Sequence, residues 1–183
     1  MKNFNNYNDF AVCTMEENLQ AAKLCLETPK KENSSSCYGM SAVILLSSVI
    51  DTLGMFYRNG QQWTGISKSD VTNNKLGGVK QHFERFYDKF LSNTNSKVFF
   101  INEFFSLVRC RATHNSVLGP NIVITIQKST NGSFFEKTSN GKSWQIYLNE
   151  LYEFVKNAYE HFAHESGIAF SETYQDSTGK TQN

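Results

Sequence analysis

Net charge is nearly missing from this sequence. Its 18 Lys and Arg stand against 17 Asp and Glu, leaving +1 with the four histidines neutral. Overall charge therefore points to neither nucleic acid nor a membrane surface, and any anion site must come from local clustering. Cysteine is sparse and unpatterned: Cys13, Cys25, Cys37 and Cys110 form no CxxC pair and no zinc-ligand spacing. Three of them fall in predicted helices, where a reduced cysteine packs as a small apolar residue. Long apolar runs are absent too. The longest, AVILL, falls far short of the ~20 residues of a membrane span, and the Asn-rich opening MKNFNNYNDF has no apolar leader core. These absences set the expectation of a reduced, cytoplasmic chain with no membrane partner.

Aromatics are abundant, with 15 Phe and 8 Tyr in 183 residues, enough to fill the core of one domain. Residues 1–8 read as a disordered lead-in, 9–166 as a single helical domain, and 167–183 as a polar, flexible tail. From Asp9, a candidate N-cap, apolar residues at Phe10, Met15, Leu19, Ala22 and Leu26 keep helical spacing up to Pro29. Serines in KKENSSS can cap the second helix, Cys37 to about Asn59, which is apolar on most sides and therefore central. It ends on Asn-Gly, a helix stop. Residues 60–77 read as a loop. The third helix carries Val79, Phe83, Phe86 and Phe90 on one face; the fourth, Val98 to about Thr113, has a stripe of Phe100, Phe104, Leu107 and Val108. NIVITIQ, SFFEK and SWQIYL read as short strands. A last helix, NELYEFVKNAYEHFAHES, places Leu151, Phe154, Val155, Ala158 and Phe162 on one face. The fold class is thus mainly α: an up-and-down bundle of four to five helices with a small β-hairpin inserted before the last.

Chemistry concentrates at the end of the fourth helix, in FFSLVRCRATHNSVLGPN. Arg109 and His114 are separated by about 500° of α-helical turn, roughly 140° out of phase. If the helix ends near Thr113, as Asn115, Gly119 and Pro120 favour, His114 can fold back toward Arg109. A guanidinium offers a fixed fork of donors to phosphate oxygens, and an imidazole titrates near neutrality and can move a proton at a ribose 2′-hydroxyl. No metal is needed where cations stabilise the developing charge. Basic residues at a helix C-terminus are also ordinary caps. Asp51 adds weight to the functional side. It lies on a line with Met40, Ile44, Ser47 and Met55, and a carboxylate there needs a cationic partner. Arg109 or Arg111 is that partner, whether as a structural ion pair or as an arginine oriented for chemistry.

This arrangement resembles the HEPN superfamily (higher eukaryote and prokaryote nucleotide-binding domains) over roughly residues 9–166. The resemblance rests on Arg-x4-His at the end of a core helix, an acid in the very apolar second helix (SSVIDTLGMFY), and the closing aromatic helix LNELYEFVKNAYEHF. It implies a helical bundle that forms homodimers, acting on RNA or a nucleotide. Many members are metal-independent endoribonucleases of toxin–antitoxin, defence or RNA-processing systems, with an antitoxin as partner in some; others only bind. By that resemblance Arg109, His114 and Asp51 are the catalytic set, Arg111 and Asn115 are candidate phosphate-binding residues, and no cofactor or metal is implied. In active members a polar residue follows the arginine. Here it is Cys110, a poor donor, which favours the competing class of non-catalytic nucleotide-binding or dimeric interaction modules.

Other motifs carry less. His161 and His164 in EHFAH are one turn apart and flanked by glutamates, but no third ligand group is evident. His82 reads as a surface or packing residue. The Leu76–Gly78 stretch is too short for a phosphate loop. Lys80, Arg85 and Lys89 alternate with Glu84 and Asp88 as on a solvated face, and Trp63 and Trp144 read as core or interface residues rather than base-stacking platforms.

Overall fold

An 18-residue helix with mean hydropathy 1.7 runs through the middle of the protein. By length and composition this helix, α2 (Gly39–Phe56), would suit a membrane, and half of it is buried inside the fold. The computed structural model describes residues 6–28, 38–58, 62–93, 97, 99–110, 112 and 119–168. Within them α2 packs against α1 (Tyr7–Glu27), α4 (Val79–Phe90), the π helix Phe99–Cys110 and α5 (Leu148–Glu165). Val43, Leu46, Val49, Ile50, Leu53 and Phe56 are fully or almost fully buried, each stabilising by about 1.5–3 kcal/mol relative to exposure. The mainly α fold with a small sheet is therefore what this sequence builds.

Local boundaries differ from the sequence expectation in instructive ways. Asn6, not Asp9, caps α1: its side chain accepts from the Asp9 amide at 2.9 Å, so the helix begins at Tyr7 and Asp9 is buried in the first turn. Asn8 then accepts from the Ile66 amide at 2.6 Å, tying the helix start to a distant segment. Tyr38 precedes α2 without a side-chain cap bond; the serines of KKENSSS lie outside the described residues. Helix α2 stops at Phe56, and β1 (Tyr57–Arg58) pairs antiparallel with β2 (Gln62–Trp63). The Asn59-Gly60 dipeptide expected to stop the helix lies outside the described residues. The expected 60–77 loop also contains α3 (Lys68–Thr72), started by a reciprocal Ser67–Asp70 capping box. Buried Arg58 donates to both the Gly65 carbonyl and the Asp70 carboxylate, at 2.7 and 2.8 Å. Arg58 first, and then the Ser67 amide and hydroxyl, hold the Asp70 carboxyl well below the usual carboxylate range.

Expected as an α-helix, Phe99–Cys110 is wound as a π helix, with i→i+5 closure. A stripe at spacings of three and four does not separate the two windings. Phe100 and Phe104 stack on each other at 5.4 Å and both meet Phe83, while Phe100 also stacks on Phe86. Val108 completes the buried side; the side chain of Leu107 lies outside the described set. The expected hairpin is β4 (Phe135–Lys137) with β5 (Trp144–Tyr147), and β3 (Ile122–Thr125) completes a three-stranded sheet in the order β3-β5-β4. β3 and β5 are parallel, and β4 is antiparallel to β5. The sheet caps the start of the π helix: Phe99 stacks on Phe135 at 4.0 Å and lies 4.4 Å from Trp144. Along α5, Leu151, Val155, Ala158 and Phe162 are buried as expected, and Phe154 stacks on Phe134.

The crossing of α2 and α4 positions the site described below. At Gly54 the two backbones touch, and a Cβ there would fall on the carbonyl of His82. Neither helix backbone can yield locally, so Gly54→Ala should cost about 1–3 kcal/mol, lowering the melting temperature by roughly 2–4 °C per kcal/mol. Gly78→Ala is the control, because nothing lies within 4 Å of its new methyl. Equal melting of both variants would show that the crossing tolerates a side chain.

Candidate functional site

Three helices contribute one polar side chain each to a single junction. Asp51 comes from the half-buried side of α2, His82 from the start of α4 and Arg109 from the last turn of the π helix. The two carboxylate oxygens of Asp51 are divided between His82 and Arg109. Oδ1 lies 2.6 Å from His82 Nδ1, and Oδ2 accepts from Arg109 Nη2 at 3.4 Å. The side chains of Asp51 and Arg109 keep 22% and 20% of their surface in solvent, whereas His82 keeps 8%. The junction thus has an open side at Arg109 and a closed side at His82.

His82 is held from both ends. Its Nε2 donates to the Leu76 carbonyl at 3.0 Å, and Arg85 Nη1 donates to the same oxygen at 2.7 Å. Burial, and then the nearby charge of Arg58, pull the Arg85 guanidinium below its ordinary value. Gly77 adopts φ +91°, a left-handed conformation that glycine supplies at little cost, and so lets the Leu76 carbonyl face these donors.

Of the residues singled out from sequence, Asp51 and Arg109 meet, as an acid in the second helix and a cation at the end of another core helix should. Arg111, His114 and Asn115 lie outside the described residues. Cys110 is a half-buried free thiol. Of the two places expected for His82, surface or packing, the structure shows the second: it is buried on the packed face of α4, and its bond to Asp51 is what the sequence reading missed. Two signals were available. Positions 79, 82, 83, 86 and 90 form one helical stripe, so His82 shares the buried face. And Gly54, one turn beyond Asp51 in a helix of large apolar residues, marks a close backbone approach.

The remaining candidates are absorbed by packing. His161 Nε2 lies 3.2 Å from Glu165 Oε1, while Glu165 Oε2 accepts from Lys89 at 3.2 Å and Trp63 Nε1 at 3.4 Å. Lys89 chiefly holds the Glu165 carboxyl below its ordinary value. Among the described residues no group of three His, Cys, Asp or Glu side chains is placed to hold a metal ion. Lys80 pairs with Glu84 on the exposed face of α4. Trp63 packs on Tyr57, Phe90 and Phe162, and Trp144 on Phe99 and Phe135.

Removing the shared carboxylate leaves one buried and one half-buried donor group without their common acceptor. Asp51→Ala should therefore lose about 1–3 kcal/mol of unfolding free energy, measured by urea denaturation, with Asp51→Asn intermediate because its amide oxygen still accepts. Wild-type stability in Asp51→Ala would contradict the junction as drawn. No family model, no curated protein and no solved structure matches this chain, so its own residues carry the functional reading.

Proposed function

We propose that this chain is a HEPN-like, metal-independent endoribonuclease of the toxin, defence or RNA-processing type. The observation that carries the proposal is the Asp51–Arg109 pair: a partly exposed guanidinium at the end of a core helix, with a carboxylate from the central helix against one nitrogen at 3.4 Å. Arginine so held offers a directed fork to a phosphodiester. In the proposed mechanism His114 takes the proton of the ribose 2′-hydroxyl. The 2′-oxygen attacks phosphorus, the 5′-oxygen leaves and is reprotonated, and a 2′,3′-cyclic phosphate and a 5′-hydroxyl result. Arg109 stabilises the charge that builds on the phosphate oxygens, Asp51 orients Arg109, and Arg111 and Asn115 contact neighbouring phosphate groups. The proposal includes a homodimer with two motifs facing one another, RNA as substrate, a cytoplasmic setting and an antitoxin partner.

Cys110 supports a second reading. A half-buried thiol beside Arg109 cannot supply the polar contact of active nucleases, which fits a module that binds a nucleotide or a partner without cutting.

Incubating wild type and His114→Ala with mixed RNA in EDTA separates the two. The ribonuclease predicts cleavage with cyclic-phosphate ends by wild type and a loss of roughly 10²–10⁴-fold in His114→Ala. If both proteins are folded and neither cuts, the binding module is the better account, and cleavage gained by Cys110→Asn would mark it as a decayed nuclease. Cleavage that EDTA abolishes would contradict metal independence.

A further inference from the structure

His82 cannot carry a proton to a substrate. Its side chain is 8% exposed, and its two ring nitrogens are occupied by Asp51 and by the Leu76 carbonyl. Its geometry fits a different task. The short side of the junction is His82–Asp51, at 2.6 Å, and the long side is Asp51–Arg109, at 3.4 Å. The carboxylate is thus located by the imidazole, and its second oxygen meets the guanidinium at the longer distance.

The imidazole is in turn fixed to the scaffold rather than to another mobile side chain. The Leu76 carbonyl that receives Nε2 is also held by Arg85, and the His82 backbone sits against Gly54, one turn from Asp51 on α2. Every link from the α2–α4 crossing to Asp51 is either backbone contact or a hydrogen bond of 3.0 Å or less. Among the described residues, the charged groups facing this chain are Asp51 from α2, Arg85 from α4, Arg109 from the π helix and, beyond Arg85, Arg58 from β1. Side chains that meet a substrate are kept in place by supporting groups whose own rotamers are locked, and an error of 1 Å in such a group can cost about 10²-fold in rate.

We propose that His82 is a positioning residue for Arg109, acting through Asp51; in its catalytic consequence this rests on the ribonuclease reading above, but the orientation of Arg109 does not. Three variants divide the possible roles. His82→Asn keeps a donor near the place of Nδ1, toward Asp51. His82→Gln keeps one near the place of Nε2, toward Leu76, and His82→Leu keeps neither. Two readouts are needed. The first is solvent exchange of the Arg109 Nη2 protons by low-temperature NMR, assigned with Arg109→Lys. The second is kcat and KM for RNA cleavage.

Exchange should be roughly fivefold faster in His82→Gln and His82→Leu, the factor for loss of about one hydrogen bond, and close to wild type in His82→Asn. With cleavage measurable, kcat should fall at least about tenfold in the same two variants with KM little changed, and Asn should restore it. A merely structural histidine would instead rank the three by melting temperature and leave Arg109 exchange unmoved in every folded variant, which overturns the proposal. Equal behaviour of Asn and Gln overturns it as well, even if His82→Leu fails to fold. If wild type cuts no RNA, the ribonuclease reading fails by itself and the exchange rates alone decide the role of His82.

Discussion

Contact between two helix backbones at Gly54 is the constraint on which the site depends. Helices separated by ordinary side chains lie 8–10 Å apart, and at that distance a histidine and an aspartate on facing helices meet only by chance of rotamer. With no Cβ on α2 at this point, α4 approaches until the His82 carbonyl fills the space. Asp51, one turn away, then faces the His82 ring at hydrogen-bond distance. The apolar remainder of α2 holds the crossing closed, because Leu46, Ile50, Leu53 and Phe56 are buried against the neighbouring helices. Burial energy is thereby converted into the placement of one carboxylate.

A polar junction inside an aromatic shell has a direct physical consequence. Phe83, Phe86, Phe100 and Phe104 pack tightly between α4 and the π helix, so these two elements keep a fixed relation along their contact. Their polar members, His82 and Arg109, inherit it. Because the two oxygens of Asp51 meet His82 and Arg109, the cost of removing the carboxylate from water is offset by hydrogen bonds. The exposed edge of Arg109 is where this interior arrangement meets solvent.

Much of the fold was legible because burial imposes period on sequence. The central position of the second helix, the stripe of α4 and the face of α5 follow from apolar residues at spacings of three and four, and the three short strands from β-branched and aromatic clusters. What escaped was decided by interactions between distant segments. Asn8 ties the start of α1 to Ile66, more than fifty positions away, beside the local cap that Asn6 supplies. Phe100, Phe104 and Val108, spaced by four, share the buried side in either winding of Phe99–Cys110, so periodicity is blind to the difference. In the site, Asp51 and its pairing with Arg109 were legible from a lone acid on an apolar helix. His82 was not, since a histidine beside phenylalanines looks like packing until the partner across the Gly54 crossing is known.

Both the nuclease and a nucleotide-binding module require that Arg109 meets a phosphate at this junction. The most direct measurement is an NMR titration of the intact chain with a 2′-O-methyl dinucleotide, which cannot be cut by 2′-hydroxyl attack, following the arginine side-chain signals. The account predicts that the Arg109 Nε–H signal moves most among the arginines, and that the response disappears in Arg109→Lys while the protein stays folded. Saturable binding with an unmoved Arg109 signal, or no binding at millimolar dinucleotide, would contradict it and leave Asp51 and Arg109 as a structural ion pair between two helices.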